Sequence, residues 1–226
     1  MTPSSDLEGV GASYSIDKML YTRQLTIEAV HQIAEGVEPG MTERESRKIA
    51  LSTLASMGLR RGWHPALVRF GQNTTKDFLD RSNLDITLGE NDIYFVDIGP
   101  VLGETEGDAG DTFVVGDNPE HHRIKRDVHE IWNLTRREWF EHGLSGRDLY
   151  RAAERYSAER DWKLNFELTG HRLSDYPHKA HYGGSMAEVD IVPSPDLWVL
   201  EIHIADPDGS FGAFYEDTLL LDQSMS

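Results

Sequence analysis

The chain has 226 residues, and 22 Lys and Arg against 39 Asp and Glu give it a formal charge of −17. That length suits one large domain or two small ones, with a core needing no staples, and so acidic a balance argues against nucleic acid or an anionic membrane as the main partner. With no cysteine, disulfides, zinc fingers, iron–sulfur clusters and thiol nucleophiles are excluded.

The first residues, MTPSSDLEGVGASYS, are small and polar; residues 1–14 are expected to form a loose arm. They show neither a basic n-region nor an apolar h-region, and no window approaches the roughly 18 apolar residues of a membrane span, so the expected compartment is the cytoplasm. Ile16, Met19, Leu20, Ile27, Val30, Ile33 and Ala34 keep helical spacing up to a stop at Gly36. Thr42 and Glu45 have the form of a capping box opening a second helix, which ends at Gly58. The period then changes, and residues 66–70, 93–98 and 112–115 read as strands.

The order then repeats. Residues 119–142 form a long predicted helix, and Ser145 caps another with Leu149, Ala152, Ala153 and Tyr156 on its inner face. Strands are predicted at 163–168, 198–204 and 213–221. Two helices and three strands, twice over, suggest an α+β fold of two related halves, residues 15–116 and 117–226, within a single domain.

Charged groups interrupt the apolar strands, where burial is costly unless they are paired or bound to metal. Asp97 ends IYFVDIG, Asp108 and Asp111 precede TFVVG, Glu201 and His203 share one face of LEIHI, and Glu216 lies in FYEDTLLL. A single charge at a strand end is usually solvated, but the same interruption in four strands points to a shared site. Asp97, Asp108, Glu201 and Glu216 would balance two divalent cations, with imidazole completing the set. Oxygen-rich ligation with some nitrogen suits manganese, iron, cobalt or zinc better than copper.

In order and spacing these residues resemble the pita-bread metallopeptidase family, which includes methionine aminopeptidase, aminopeptidase P, prolidase and the non-peptidase creatinase. The likeness runs from about Leu20 to Leu221 and covers the catalytic domain only. It implies the pita-bread fold, with Asp97 on one metal, Asp108 and Glu216 bridging both, and His171 and Glu201 on the other. It further implies hydrolysis of a peptide or small amide C–N bond by a hydroxide shared between the metals, with Glu201 as general base and His178 stabilising the tetrahedral intermediate. A homodimer is the family habit, and the partner is a small molecule or short peptide.

The residues around the cage depart from the family pattern. Gly71, Gln72 and Asn73 are kept, but the substrate-facing histidine expected after them is replaced by Phe78 or a neighbour. Arg172 follows His171 where a small residue is usual, and His178-Lys179-Ala180-His181 replaces an H-E-x-P stretch. Phe78, His181 and His203 are candidate substrate contacts; His203 reads equally as a packed core residue and His181 as a rim residue. His121 and His122 are expected to be solvated. Alternatives are hydrolysis or lysis of a non-peptide C–N bond, a di-metal oxidoreductase, and a metal-free binding module.

Overall fold

The computed structural model describes residues 6–59, 61–76 and 82–221. Helix α1 (Ile16–Glu35) stops at Gly36, and α2 (Glu43–Ser56) starts from the predicted capping box. There Glu45 N–H donates to Thr42 Oγ1 at 3.2 Å and Thr42 N–H to Glu45 Oε2 at 2.9 Å. Strands β1 (Arg61–Gly62), β2 (Leu67–Phe70), β3 (Asp92–Ile98), β4 (Pro100–Leu102), β5 (Thr105–Glu106) and β6 (Ala109–Val115) follow. Helix α3 (Pro119–His142) is capped by Asn118 and closed by Gly143 in the left-handed region, and α4 (Gly146–Ala158) is capped by Ser145. Strands β7 (Lys163–Leu164), β8 (His171–Arg172), β9 (Trp198–Ala205) and β10 (Gly212–Thr218) complete the chain.

The main sheet runs β2-β3-β6-β10-β9-β7, with β8 also paired to β9, and every pairing is antiparallel. Its order is mirrored about the β6–β10 pair, with β2, β3 and β6 forming one wing and β7, β8, β9 and β10 the other. Strands β1, β4 and β5 make a separate small sheet.

Side chains alternate across the sheet. Tyr94, Val96 and Ile98 pack with Val30, Ile33 and Ala50 of α1 and α2, while Leu200, Ile202, Ile204 and Ala213 pack with Ile124, Val128 and Ala153 of α3 and α4. The opposite parity, Phe95, Asp97, Glu201, His203, Phe214 and Glu216, faces away from the helices. Among the described residues no helix is long and apolar enough to cross a membrane.

Three expectations change. Within the described part of residues 1–14, the segment is fastened rather than loose. Glu8 is buried and accepts from Ser194 N–H, Ser194 Oγ and Trp198 Nε1, and Asp175 accepts from Gly11 N–H and Ser13 Oγ. Polarity at the start of the chain here means hydrogen bonding to the fold, not solvation. The strand predicted at 163–168 stops at Leu164, because Asn165 Oδ1 accepts Glu167 N–H and turns the chain away. His121 is buried with its ring against Phe211, centroids 4.9 Å apart, whereas His122 is exposed as expected. His121, the third residue of α3, lies on the buried face of that helix.

Candidate metal centre

On the face away from the helices, one row of residues crosses four strands. Asp97 of β3 is in register with Gly110 of β6, Gly110 with Glu216 of β10, and Glu216 with Glu201 of β9. Gly110 is the one member without a side chain, so the three carboxylates surround an open space. A Cβ there would lie 2.6 Å from Phe214 Cε1 and 3.0 Å from Glu216 Oε1. Asp108, two residues earlier and on the same parity, closes this space from β6's entry, and His171 approaches from β8.

The resulting contacts are close. His171 Nε2 lies 2.9 Å from Asp108 Oδ2 and 3.3 Å from Glu201 Oε1. The predicted ligands Asp97, Asp108, His171, Glu201 and Glu216 all line a single cavity of about 310 Å³, together with His178. Ligand atoms of Asp108, His171 and Glu201 lie within 4.8 Å of one another, as do those of His64, Asp97 and Asp108, so each trio can hold a metal ion.

Electrostatics support the same use. Burial is the main force raising Asp97 to about 6 and Glu201 to about 7, reinforced by the other carboxylates. Burial and the same neighbours push Glu216 well above the usual carboxylate range, and a hydrogen bond with Asp97 adds to the rise. Asp108 goes the other way: burial opposes its charge, but hydrogen bonds from His171 and His64 hold it low. Burial disfavours charge on His171 too, yet Asp108 and Glu201 raise it to about 9. Glu216 Oε1 is buried with no hydrogen-bond partner. An orphan carboxylate oxygen in this setting is costly unless a cation meets it, so the donor set fits divalent metal.

The other predicted contacts are placed elsewhere. His203 is fully buried, with Nε2 2.7 Å from Thr74 O and Nδ1 3.1 Å from Asn165 Nδ2, and it does not line the cavity. His181 is exposed and also outside the lining. Phe78 lies outside the described residues. Arg172 is turned into the protein, where Nη1 donates to Leu7 O and Gly9 O at 2.8 and 2.6 Å. It fastens the N-terminal segment rather than narrowing the cavity.

Three residues escaped the sequence reading. His64, between β1 and β2, puts Nε2 3.3 Å from Asp108 Oδ1 and 3.5 Å from Asp97 Oδ1. Trp63 lies edge-on to His64, His171 and His178, with centroids 4.4, 4.9 and 5.1 Å away. Glu106 Oε2 accepts from His178 Nδ1 at 2.8 Å, and its Oε1 accepts His178 N–H at 3.1 Å. The signal for Glu106 was parity, since it sits two residues before Asp108; for Trp63 and His64 only their place ahead of a strand was visible.

The fold is shared with several solved structures. The structure is similar to that of a prolidase from Pyrococcus horikoshii, with a TM-score of 0.75 at 18% identity, covering 94% of this chain and 60% of that one. An Escherichia coli aminopeptidase P gives 0.73 at 16%, covering 93% and 53%, and a methionine aminopeptidase from Thermotoga maritima gives 0.69 at 15%, covering 96% and 93%. The chain thus spans only about 60% of the prolidase's length. No curated protein matches the sequence. These structures share the pita-bread fold, an α+β fold, with this chain. The model of metallopeptidase family M24 matches residues 17–223, and the chain belongs to that family.

Proposed function

We propose that the chain is a dinuclear metal-dependent hydrolase that cleaves the C–N bond of a short peptide or small amide. The observation that carries this reading is the row Asp97–Gly110–Glu216–Glu201, with Glu216 Oε1 buried and unpartnered beside Asp108 and His171. Asp97, Asp108, His171, Glu201 and Glu216 would hold the metals, taken to be manganese, iron, cobalt or zinc from the oxygen-rich donor set. Bound there, two divalent cations supply Lewis acidity and make water acidic enough to serve as a nucleophile near neutral pH.

The remaining work falls to the chain. Glu201, lining the cavity beside His171, would take a proton from the attacking water and return it to the leaving nitrogen. His178 is held through Nδ1–H by Glu106, and burial keeps its pKa below the usual histidine value. In that neutral tautomer Nε2 is an acceptor, suited to a substrate N–H. The resemblance had implied stabilisation of the tetrahedral intermediate, which needs a donor. A cavity of about 310 Å³ is at the small end for ligand sites and favours a dipeptide-sized substrate.

The test is metal analysis followed by a panel of dipeptides, Met-peptides and small amides assayed with each metal. Metal-dependent hydrolysis is expected, and Glu201→Gln should reduce turnover by at least about 100-fold while leaving the fold intact. No uptake of any of the four metals would defeat the reading and favour a binding module. Full activity in the Gln variant would remove Glu201 from the proton transfer.

A further inference from the structure

The two histidines nearest Asp108 are built alike. His171 Nδ1 lies 2.6 Å from Arg172 O, and His64 Nδ1 lies 2.9 Å from Pro65 O, in each case the carbonyl of the next residue. A carbonyl oxygen only accepts, so both rings carry their proton on Nδ1 and, when neutral, present the Nε2 lone pair. In each ring Nε2 faces a different oxygen of the same carboxylate, Oδ2 of Asp108 for His171 and Oδ1 for His64, and without metal it donates a hydrogen bond there.

The distances around His64 are informative. Its Nε2 is 3.3 Å from Asp108 Oδ1 and 3.5 Å from Asp97 Oδ1, longer than the about 2.7–2.9 Å of a charge-assisted hydrogen bond. Two ligand atoms each about 2.1 Å from one ion at tetrahedral to octahedral angles stand about 3.0–3.4 Å apart. The spacing therefore suits groups that share a cation. The position is also prepared by its neighbours. Trp63 Nε1 donates to Gly107 O at 3.0 Å, fixing the indole between the two imidazoles. A Cβ on Gly99 would overlap the His64 ring, so the absence of a side chain there makes room for it.

We propose that His64 is a metal ligand, so that His64–Asp97–Asp108 and Asp108–His171–Glu201 form two positions joined by Asp108, each with one imidazole. The inference rests on the dinuclear reading above. It changes the chemistry of the first position, which carboxylates alone would make a hard site. An imidazole in each position shifts preference toward cobalt, zinc or iron and away from manganese.

Stepwise titration of the full chain with Co(II), followed by visible absorption, tests this. The parent should take up two equivalents, and His64→Ala should weaken one of them by at least about tenfold while sparing the other. X-ray absorption on the zinc-loaded parent, which requires no variant to fold, should count two imidazoles per two zinc ions. One imidazole, or superimposable titrations of parent and variant, overturns the role of His64 and leaves the dinuclear reading standing. A parent that binds no metal overturns both.

Discussion

Replacing Gly110 with Ala sets two opposing effects against each other. Its backbone is not in the left-handed region, so Ala meets no conformational obstacle and would gain about 0.4–1 kcal/mol from a less flexible unfolded chain. Against this, the new Cβ would lie 2.6 Å from Phe214 Cε1, 2.9 Å from Cδ1 and 3.0 Å from Glu216 Oε1. Phe214 cannot swing aside freely, because Phe95 and His203 pack on it with centroids at 5.4 and 5.9 Å. Overpacking of this kind costs roughly 1–3 kcal/mol. The overlap wins, and the net loss should be about 1–2 kcal/mol, or about 2–8 °C in Tm for a chain of this size.

The same methyl displaces the orphan oxygen of Glu216, so metal affinity should fall as well, by about tenfold for each 1.4 kcal/mol lost. Urea denaturation with chelator present measures the first effect, and calorimetric metal titration the second. A variant as stable as the parent, with unchanged metal affinity, would refute the claim that Gly110 keeps the centre of the row open.

Glu8→Ala should cost about 2–4 kcal/mol in urea denaturation, because it strands the buried N–H of Trp198 and removes charge-assisted bonds to Ser194; a change below about 0.5 kcal/mol would show that the N-terminal segment is not structural. For pH, burial opposes charge on His64 and His171, yet nearby carboxylates raise both to about 9, while burial first and like charges second raise Asp97 to about 6 and Glu201 to about 7. A raised pKa contributes stability below the unfolded value that is lost as pH climbs through the folded one. Metal-free protein should therefore lose Tm between about pH 4 and about pH 9, with the stabilisation by added metal widening over the same interval; a gap that narrows with rising pH would contradict the assignment of these groups as ligands.

Much of this was legible because local chemistry and tertiary context agree. Thr42 with Glu45, and Ser145, cap the helices that their sequence announces. The carboxylates were visible because Asp97, Glu201 and Glu216 break apolar alternation at positions where solvation was the only other explanation. His64 was hidden for the opposite reason. It precedes a short strand, and its position depends on Gly99 and Trp63 leaving room and filling space from distant points of the chain. The fastening of residues 6–14 was hidden likewise, since Glu8 meets Ser194 and Trp198 only after the second wing of the sheet has formed. Neither contact has a periodicity to read.

The position of the site on the sheet carries a consequence of its own. Asp97 and Asp108 belong to the wing of β2, β3 and β6, while His171, Glu201 and Glu216 belong to the wing of β7, β8, β9 and β10, and the wings meet at Gly110 and Glu216. Burial first, and then the mutual repulsion of four carboxylates facing one another across that seam, oppose their charge and raise Asp97, Glu201 and Glu216. Cations held by ligands from both wings, as proposed, would reverse the sign and turn repulsion into a cross-link between them. These are four of the 39 acidic residues, so the formal charge of −17 describes mostly the solvated exterior. The chemistry follows instead from the few charges that alternate onto the inner face of the sheet, where removing solvent makes a cation the most economical partner.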